Sequence, residues 1–269
     1  MKKRVISAVI ALAIVIPLFL IGGIPYRLLI ALLAAQAFKE TLDLKNSHHP
    51  YPGIIAGMAL LGTELLVLIN NNGSYIYTGF SMLAASLIFL CLLIPTIFDD
   101  KNKYTTRDAF YLIGTMLLIG IFFNLLISFR FSEKWLLVYL LLISTMTDTF
   151  AFFVGSLIGK HKIAPKVSPK KSLEGCIGGS IVGTAVASIF YYNVITPNIN
   201  IIGLIVMTLV LSILGQLGDL FFSKIKRENE IKDFSNIMPG HGGVLDRLDS
   251  ITFITYGYVL IMTITLLFK

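Results

Sequence analysis

Long apolar runs separated by short polar stretches set the pattern of this chain. They lie near Val5–Ile21, Tyr26–Phe38, Ile54–Ile69, Phe80–Ile97, Ala109–Ile127, Trp135–Leu157, Cys176–Tyr192, Ile199–Phe222 and Ile251–Phe268. Most approach the 18 or so residues that a helix needs to cross a hydrocarbon core about 30 Å thick. The pattern predicts an all-α polytopic membrane protein with about nine transmembrane helices; the second run is short and carries Arg27. Two polar stretches stand apart by size, residues 158–175 and 223–250, both in the second half of the chain. Residues 1–134 therefore read as a transmembrane scaffold and oligomer contact, which makes a homodimer the expectation. Residues 135–269 read as the working part. No repeat of fixed period and no low-complexity tract interrupts this division.

Composition agrees with the pattern. The 269 residues are 56% hydrophobic and 14% charged, with a mean hydropathy of +0.83, whereas soluble domains carry about a quarter charged residues. The basic start Lys2-Lys3-Arg4 ahead of an apolar run also describes a signal peptide. That run is long for one, and no small-x-small cleavage site follows it. Cys91 and Cys176 lie in separate apolar runs without metal-ligand spacing, so no disulfide framework is expected.

Charge supplies a topology. With nine crossings and the N-terminus inside, only Arg27, Arg130, Lys134 and Lys269 of the 22 Lys and Arg face outward. This is the asymmetry that the positive-inside rule describes. The expectation is an integral protein of the inner (cytoplasmic) membrane, with both large loops in the cytosol. The net charge of +7 is confined to these loops, and no basic–aromatic interleaving suggests nucleic acid.

Acids in or beside apolar runs cost free energy in a membrane, so they point to function unless helix packing accounts for them. Glu64, alone in the scaffold half, suits the packing role better. Asp148 and Asp219 each precede a large basic loop and suit function better. Asp246 and Asp249 are spaced i,i+3, which puts both on one face of the helix opening the last run, although acids there also cap a helix. With Asp219 they form a set of hard oxygen donors suited to Mg²⁺ or another divalent cation, which takes one or two carboxylates plus substrate phosphates. Zinc fits less well, because His241 has no second soft ligand nearby.

Gly242 and Gly243 permit close backbone approach and precede a helix start whose free N–H groups are expected to bind phosphate. Lys224, Lys226 and Arg227 follow Asp219, and the other loop adds Lys166, Ser168, Lys170, Lys171 and Ser172. Two cationic loops and four acids on one membrane face exceed what topology requires; a metal-bound polyphosphate would balance their charges.

In order, the second half supplies Ser223, Lys226-Arg227, Lys232-Asp233, Ser235, Pro239, His241-Gly242-Gly243, Asp246-Arg247 and Asp249. This arrangement resembles the signature of the CDP-diacylglycerol synthases, or phosphatidate cytidylyltransferases. Met238 stands where Leu, Ile or Phe is usual. The upstream run from Asp148 through Gly159-Lys-His-Lys-Ile-Ala-Pro to Ser168-Pro-Lys-Lys-Ser-Leu-Glu-Gly175 is also similar, with Ser172 for a more usual Thr. The likeness is dense over about the last 120 residues; the first half agrees only in spanning the membrane.

The resemblance implies an enzyme, a nucleotidyltransferase of phospholipid biosynthesis at the committed step to CDP-lipids. CTP and phosphatidic acid would give CDP-diacylglycerol and pyrophosphate, with a divalent cation. Asp219, Asp246 and Asp249 are then expected at the metal. Lys226, Arg227 and Lys171 are expected at the triphosphate and leaving group, and Asp148 beside them. Lys166, Ser168, Lys170, Ser172, Ser223, Lys232, His241, Gly242, Gly243 and Arg247 would line the substrates. No general base is needed, because the attacking phosphate is already anionic.

Two other classes compete. A transporter using Asp148 and Asp219 as an ion path needs mid-membrane acids and matched broken helices in two repeats, and neither is found. A lipid-alcohol kinase using CTP differs in its products, CDP and a phosphorylated alcohol. A CDP-alcohol phosphotransferase requires an Asp-Gly, Ala-Arg, Gly and two-Asp spacing that the chain lacks.

Overall fold

The computed structural model describes residues 2–46, 51–68, 82–98, 104–238, 240 and 242–267. Among these, the helices in chain order are α1 (Lys2–Ile21), α2 (Gly23–Asn46), α3 (Gly53–Leu68), α4 (Met82–Leu93), α5 (Thr106–Ser132), α6 (Lys134–Ile158), α7 (Leu173–Phe190), α8 (Ile201–Glu228) and α9 (Leu245–Leu267). A 3₁₀ turn, Ile94–Ile97, follows α4, and a π turn, Tyr191–Ile195, extends α7. Among the described residues, five helices are long and apolar enough to cross a membrane: α5, α6, α7 with its π turn, α8 and α9. Val9–Ile21, Gly53–Leu68 and Ile88–Ile97 are shorter apolar helices. Large apolar side chains such as Phe152, Leu157 and Ile202 face outward. Hydrocarbon accommodates such surfaces, whereas soluble proteins rarely expose them in quantity.

Two compact units form. One comprises Met1–Ser132 with Asp233–Leu245, the other Glu133–Lys232 with Asp246–Lys269. The segment Asp233–Leu245, expected to work with the second half of the chain, thus packs with the first.

In the first unit α5 is the central post. Leu112, Met116, Phe123 and Phe129 on it are fully buried. Asn124 Nδ2 donates to the carbonyls of Leu66 at 3.0 Å and Val67 at 2.9 Å, closing the end of α3. Tyr111 Oη donates to the Thr41 carbonyl at 2.9 Å, which ties α5 to the C-terminal part of α2. Arg130 donates through Nε to Phe19 O at 2.6 Å and through Nη2 to Leu20 O at 3.0 Å. It thereby satisfies carbonyls that the end of α1 leaves unpaired.

In the second unit a glycine stripe joins α6 and α7. Gly175, Gly179 and Gly183 recur every fourth residue, and a Cβ on any of them would meet Ala151, Gly155 or Thr147 of α6. Small residues at this spacing bring two backbones together, which is how helices associate where lipid supplies no hydrophobic drive. Buried hydroxyls add hydrogen bonds between the helices. Tyr139 pairs with Thr208 at 2.7 Å and Thr147 with Ser212 at 2.8 Å, while Gln216 Nε2 donates to Ser180 at 2.7 Å.

Two expectations about the large loops change. Residues 158–175 contain an antiparallel hairpin of β1 (Lys162–Ala164) and β2 (Ser168–Ser172), with Lys162 opposite Ser172 and Ala164 opposite Ser168. It turns at Pro165-Lys166, closed by Val167 N–H to Ala164 O at 3.1 Å, with Pro at the position that favours such turns. This short hairpin is a local addition to an otherwise helical chain. Residues 223–250 are a shorter loop than expected, because α8 continues to Glu228 and α9 starts at Leu245. Lys226 and Arg227 occupy the last turn of α8, where cations suit the helix dipole, and Glu230 follows in a left-handed conformation at φ 56°.

Candidate active site

The second unit assembles its charged centre from α6, α8, α9 and the hairpin. Asp219 on α8 receives Lys171 from β2, with Nζ to Oδ2 at 2.8 Å. The same ammonium donates to the Gln216 carbonyl at 3.0 Å. Lys226, one turn after Phe222 on α8, reaches Asp246 in the first turn of α9 at 2.7 Å. These two side chains are 11% and 4% exposed, so this pair is nearly dry.

Asp148 and Asp249 complete the group. Asp148 on α6 accepts from Ser250 Oγ at 3.2 Å, and the Ser250 N–H donates to Asp249 Oδ1 at 2.8 Å. Asp148, Asp219 and Asp249 lie within one another's electrostatic field, and Lys226 acts on Asp249 as well. Close helix packing makes this possible. A Cβ on Gly218 would stand 2.8 Å from the Asp249 carbonyl oxygen, and one on Gly215 would strike Ile254. The residue before Asp219 is thus bare so that α9 can approach.

The four carboxylates and two ammonium groups of this unit gather hard oxygen donors, as a divalent cation prefers. Among the described residues, no group of three or more His, Cys, Asp or Glu side chains is arranged to hold a metal ion. Mg²⁺ does not require one, since it keeps waters and takes substrate oxygens. The donor set fits.

The other expected residues divide into groups. Lys166 and Lys170 are exposed on the hairpin, with Ser168 half-buried beside them. Ser172 is buried and caps α7, its Oγ accepting from Gly175 N–H at 3.3 Å. Arg227 donates to the backbone carbonyls of Val167 at 3.4 Å and Ile231 at 3.0 Å, joining the hairpin tip to the end of α8. Ser223 is half-buried on α8, while Lys232 and Arg247 are exposed. His241 lies outside the described residues.

The helix start after Gly242-Gly243 differs from the expectation. The N–H groups of Val244 and Leu245 are donated to Glu40 at 2.9 Å each, and Gly242 exchanges both its backbone bonds with Met238. These groups are not free for a phosphate. Gly242 is needed for its φ of 83°, a region that favours glycine. At Gly243 a Cβ would lie 2.6 Å from the Glu40 carboxylate.

Sequence reasoning missed Glu40, which sits on the stripe Tyr26, Ile30, Ala34, Ala37 and Leu44 that α2 buries. An acid on an apolar stripe was the available signal. Glu174 was missed too. It accepts from the backbone N–H groups of Lys160 at 3.0 Å and His161 at 3.2 Å, and its Oε1 lies 2.6 Å from His161 Nδ1, which latches the base of the hairpin.

A sequence model described as the cytidylyltransferase family matches residues 2–265. The chain is 37% identical over 257 residues to a phosphatidate cytidylyltransferase of Staphylococcus haemolyticus (strain JCSC1435), covering 94% of this chain and 96% of that protein. It is 34% identical over 258 residues to the protein of that name from Bacillus subtilis (strain 168), 94% of each chain being covered. To the Staphylococcus aureus (strain COL) protein it is 35% identical over 257 residues, with 94% and 96% covered.

Proposed function

Since this chain belongs to the cytidylyltransferase family, a family of nucleotidyltransferases, we propose that it converts CTP and phosphatidic acid to CDP-diacylglycerol and pyrophosphate. One arrangement carries this reading. Asp148, Asp219, Asp246 and Asp249 stand beside Lys171 and Lys226 in one unit of apolar helices, a charge set matched to a polyphosphate and a divalent cation.

An oxygen of the lipid phosphate attacks the α-phosphorus of CTP. The new phosphorus–oxygen bond forms as the bond to the β-phosphate oxygen breaks, and pyrophosphate leaves. Positioning and charge neutralisation supply most of the catalysis in phosphoryl chemistry. Lys171 and Lys226 turn from their acids towards the leaving group, each as a point charge. Arg227 steadies the hairpin tip that brings Lys170 and Lys171 to the site. Asp219, Asp246 and Asp249 would hold Mg²⁺ or another divalent cation, and Asp148 orients its neighbours through Ser250. Bound there, the cation supplies positive charge to the triphosphate oxygens.

The reading includes nine crossings with the N-terminus and the site on the cytosolic side, supported by the distribution of Lys and Arg. A lipid acceptor with two acyl tails and a cytosolic nucleotide meet only at such a boundary.

The test incubates purified protein with labelled CTP, phosphatidate and Mg²⁺, then counts label in the lipid phase and measures pyrophosphate. Label in the lipid with matching pyrophosphate is expected, lost in Asp219→Asn and Asp246→Asn variants that remain folded in detergent. Release of CDP with a phosphorylated alcohol would make the protein a kinase. Ion-coupled uptake into liposomes without CTP turnover would make it a transporter.

A further inference from the structure

Helix α9 begins at Leu245, after a residue that offers no side-chain cap. Val244 precedes its first residue and has no side-chain oxygen, and valine is among the poorest residues at that position. The first N–H groups of a helix must still find acceptors. They find them about 200 positions away in sequence, on Glu40 of α2. Its Oε1 accepts from Val244 N–H at 2.9 Å, Ser235 Oγ at 2.7 Å and Gln36 Nε2 at 3.3 Å, and its Oε2 accepts from Leu245 N–H at 2.9 Å. Glu40 is 0% exposed, and Val244 and Leu245 are 4% exposed. The bare Cα of Gly243 is what admits the carboxylate.

A carboxylate at this point both satisfies the N–H groups and complements the positive end of the helix. Because each oxygen holds a different N–H, the pair fixes the rotation and the axial height of the first turn. Asp246 is the next residue after Leu245, and Asp249 lies on the same face. We propose that Glu40 is a positioning residue, holding the first turn of α9 so that Asp246 and Asp249 are presented correctly for cytidylyl transfer. The proposal rests on the transferase reading above for its kinetic consequence, but not for the clamp itself. It also gives the bare Cα of Gly243 a purpose, that of receiving an internal acid.

Glu40→Gln keeps size and shape but replaces one accepting oxygen with an NH₂ that opposes a backbone N–H. A displacement near 1 Å in a catalytic group lowers rates by up to about 100-fold. Glu40→Gln is therefore expected to lower kcat at least about 10-fold per folded molecule, with KM for CTP changed less than about 3-fold. Amide hydrogen exchange should quicken at Val244 and Leu245 while the rest of α9 keeps its protection. If Glu40→Gln does not fold, Gly243→Ala, which presses on the carboxylate without removing it, is measured by the same two readouts. A kcat within about 2-fold of the parent, or exchange at Val244 and Leu245 that does not change, overturns the proposal. If the parent itself makes no CDP-lipid, the transferase reading fails, and the exchange result alone decides the clamp.

Discussion

Lys226→Met tests whether the dry pair at the start of α9 is a working charge or a structural one. Its atoms are 2.7 Å apart, and both side chains are almost entirely out of solvent. At an effective dielectric near 20 the attraction at that distance is roughly 6 kcal/mol. Desolvation of the two groups offsets most of it, so the intact pair contributes little net stability. Removing only the ammonium leaves Asp246 buried beside Asp249, at a cost of roughly 3 to 5 kcal/mol. The double variant Lys226→Met/Asp246→Leu removes both charges and should recover to within about 1 kcal/mol of the parent. Thermal unfolding in detergent reads stability, and labelled CTP counted into lipid reads turnover. The expected outcome is a destabilised single variant, a stable double variant, and at least 100-fold loss of turnover in both, about 2.7 kcal/mol at the transition state. Parent-like stability in Lys226→Met would refute the dry-pair argument. Recovered turnover in the double variant would refute the role in transfer.

Lys171→Met removes the ammonium bound to Asp219, so Mn²⁺, followed by its paramagnetic signal, should bind more tightly although turnover falls; unchanged affinity would separate Asp219 from the metal. Gly218→Val drives a side chain against Asp249 and Phe253 and should destabilise by about 1 to 3 kcal/mol through overpacking. Gly114→Ala, with nothing within 4 Å, should be neutral or stabilising by up to about 1 kcal/mol, and equal effects would discount the packing argument. Glu174→Gln loosens the hairpin base at Lys160 and His161, so trypsin should cut between Lys162 and Lys170 faster; an unchanged rate would show that the latch carries no load.

Hydropathy made the helices legible because lipid-facing runs need no partner to declare themselves. The ends were less legible. Lys224, Lys226, Arg227 and Glu228 are good helix formers whose charge made them read as loop, yet α8 continues through them, aided by the Lys224–Glu228 pair at 3.6 Å. The hairpin was hidden because its strands of three and five residues, KIA and SPKKS, show no apolar alternation for a periodicity argument to detect. The acids and lysines of the site were legible as chemistry, but not their pairing, which depends on α8 and α9 closing over Gly218. Glu40 was passed over because its partners are some 200 residues away, and no local pattern announces a cap supplied by another helix.

The pairing bears on how such a site carries so much charge. Lys171 and Lys226 were expected to meet an anion from outside, and each instead holds an acid of its own within 2.8 Å. A pocket in apolar surroundings tolerates neither bare lysines nor bare carboxylates, since an unpaired buried charge costs several kcal/mol. Internal pairing meets that constraint in one state. Under the proposed function a triphosphate with a divalent cation would meet it in another, the lysines serving phosphate oxygens and the carboxylates the cation, so that neither sign would be stranded. Such an exchange would need the acids held while the lysines swing: Ser250 bonds to both Asp148 and Asp249, and Glu40 holds the first N–H of α9, whereas lysine is a flexible four-carbon stem. Under the proposed function, the rigid partners are the ones that must aim the reaction.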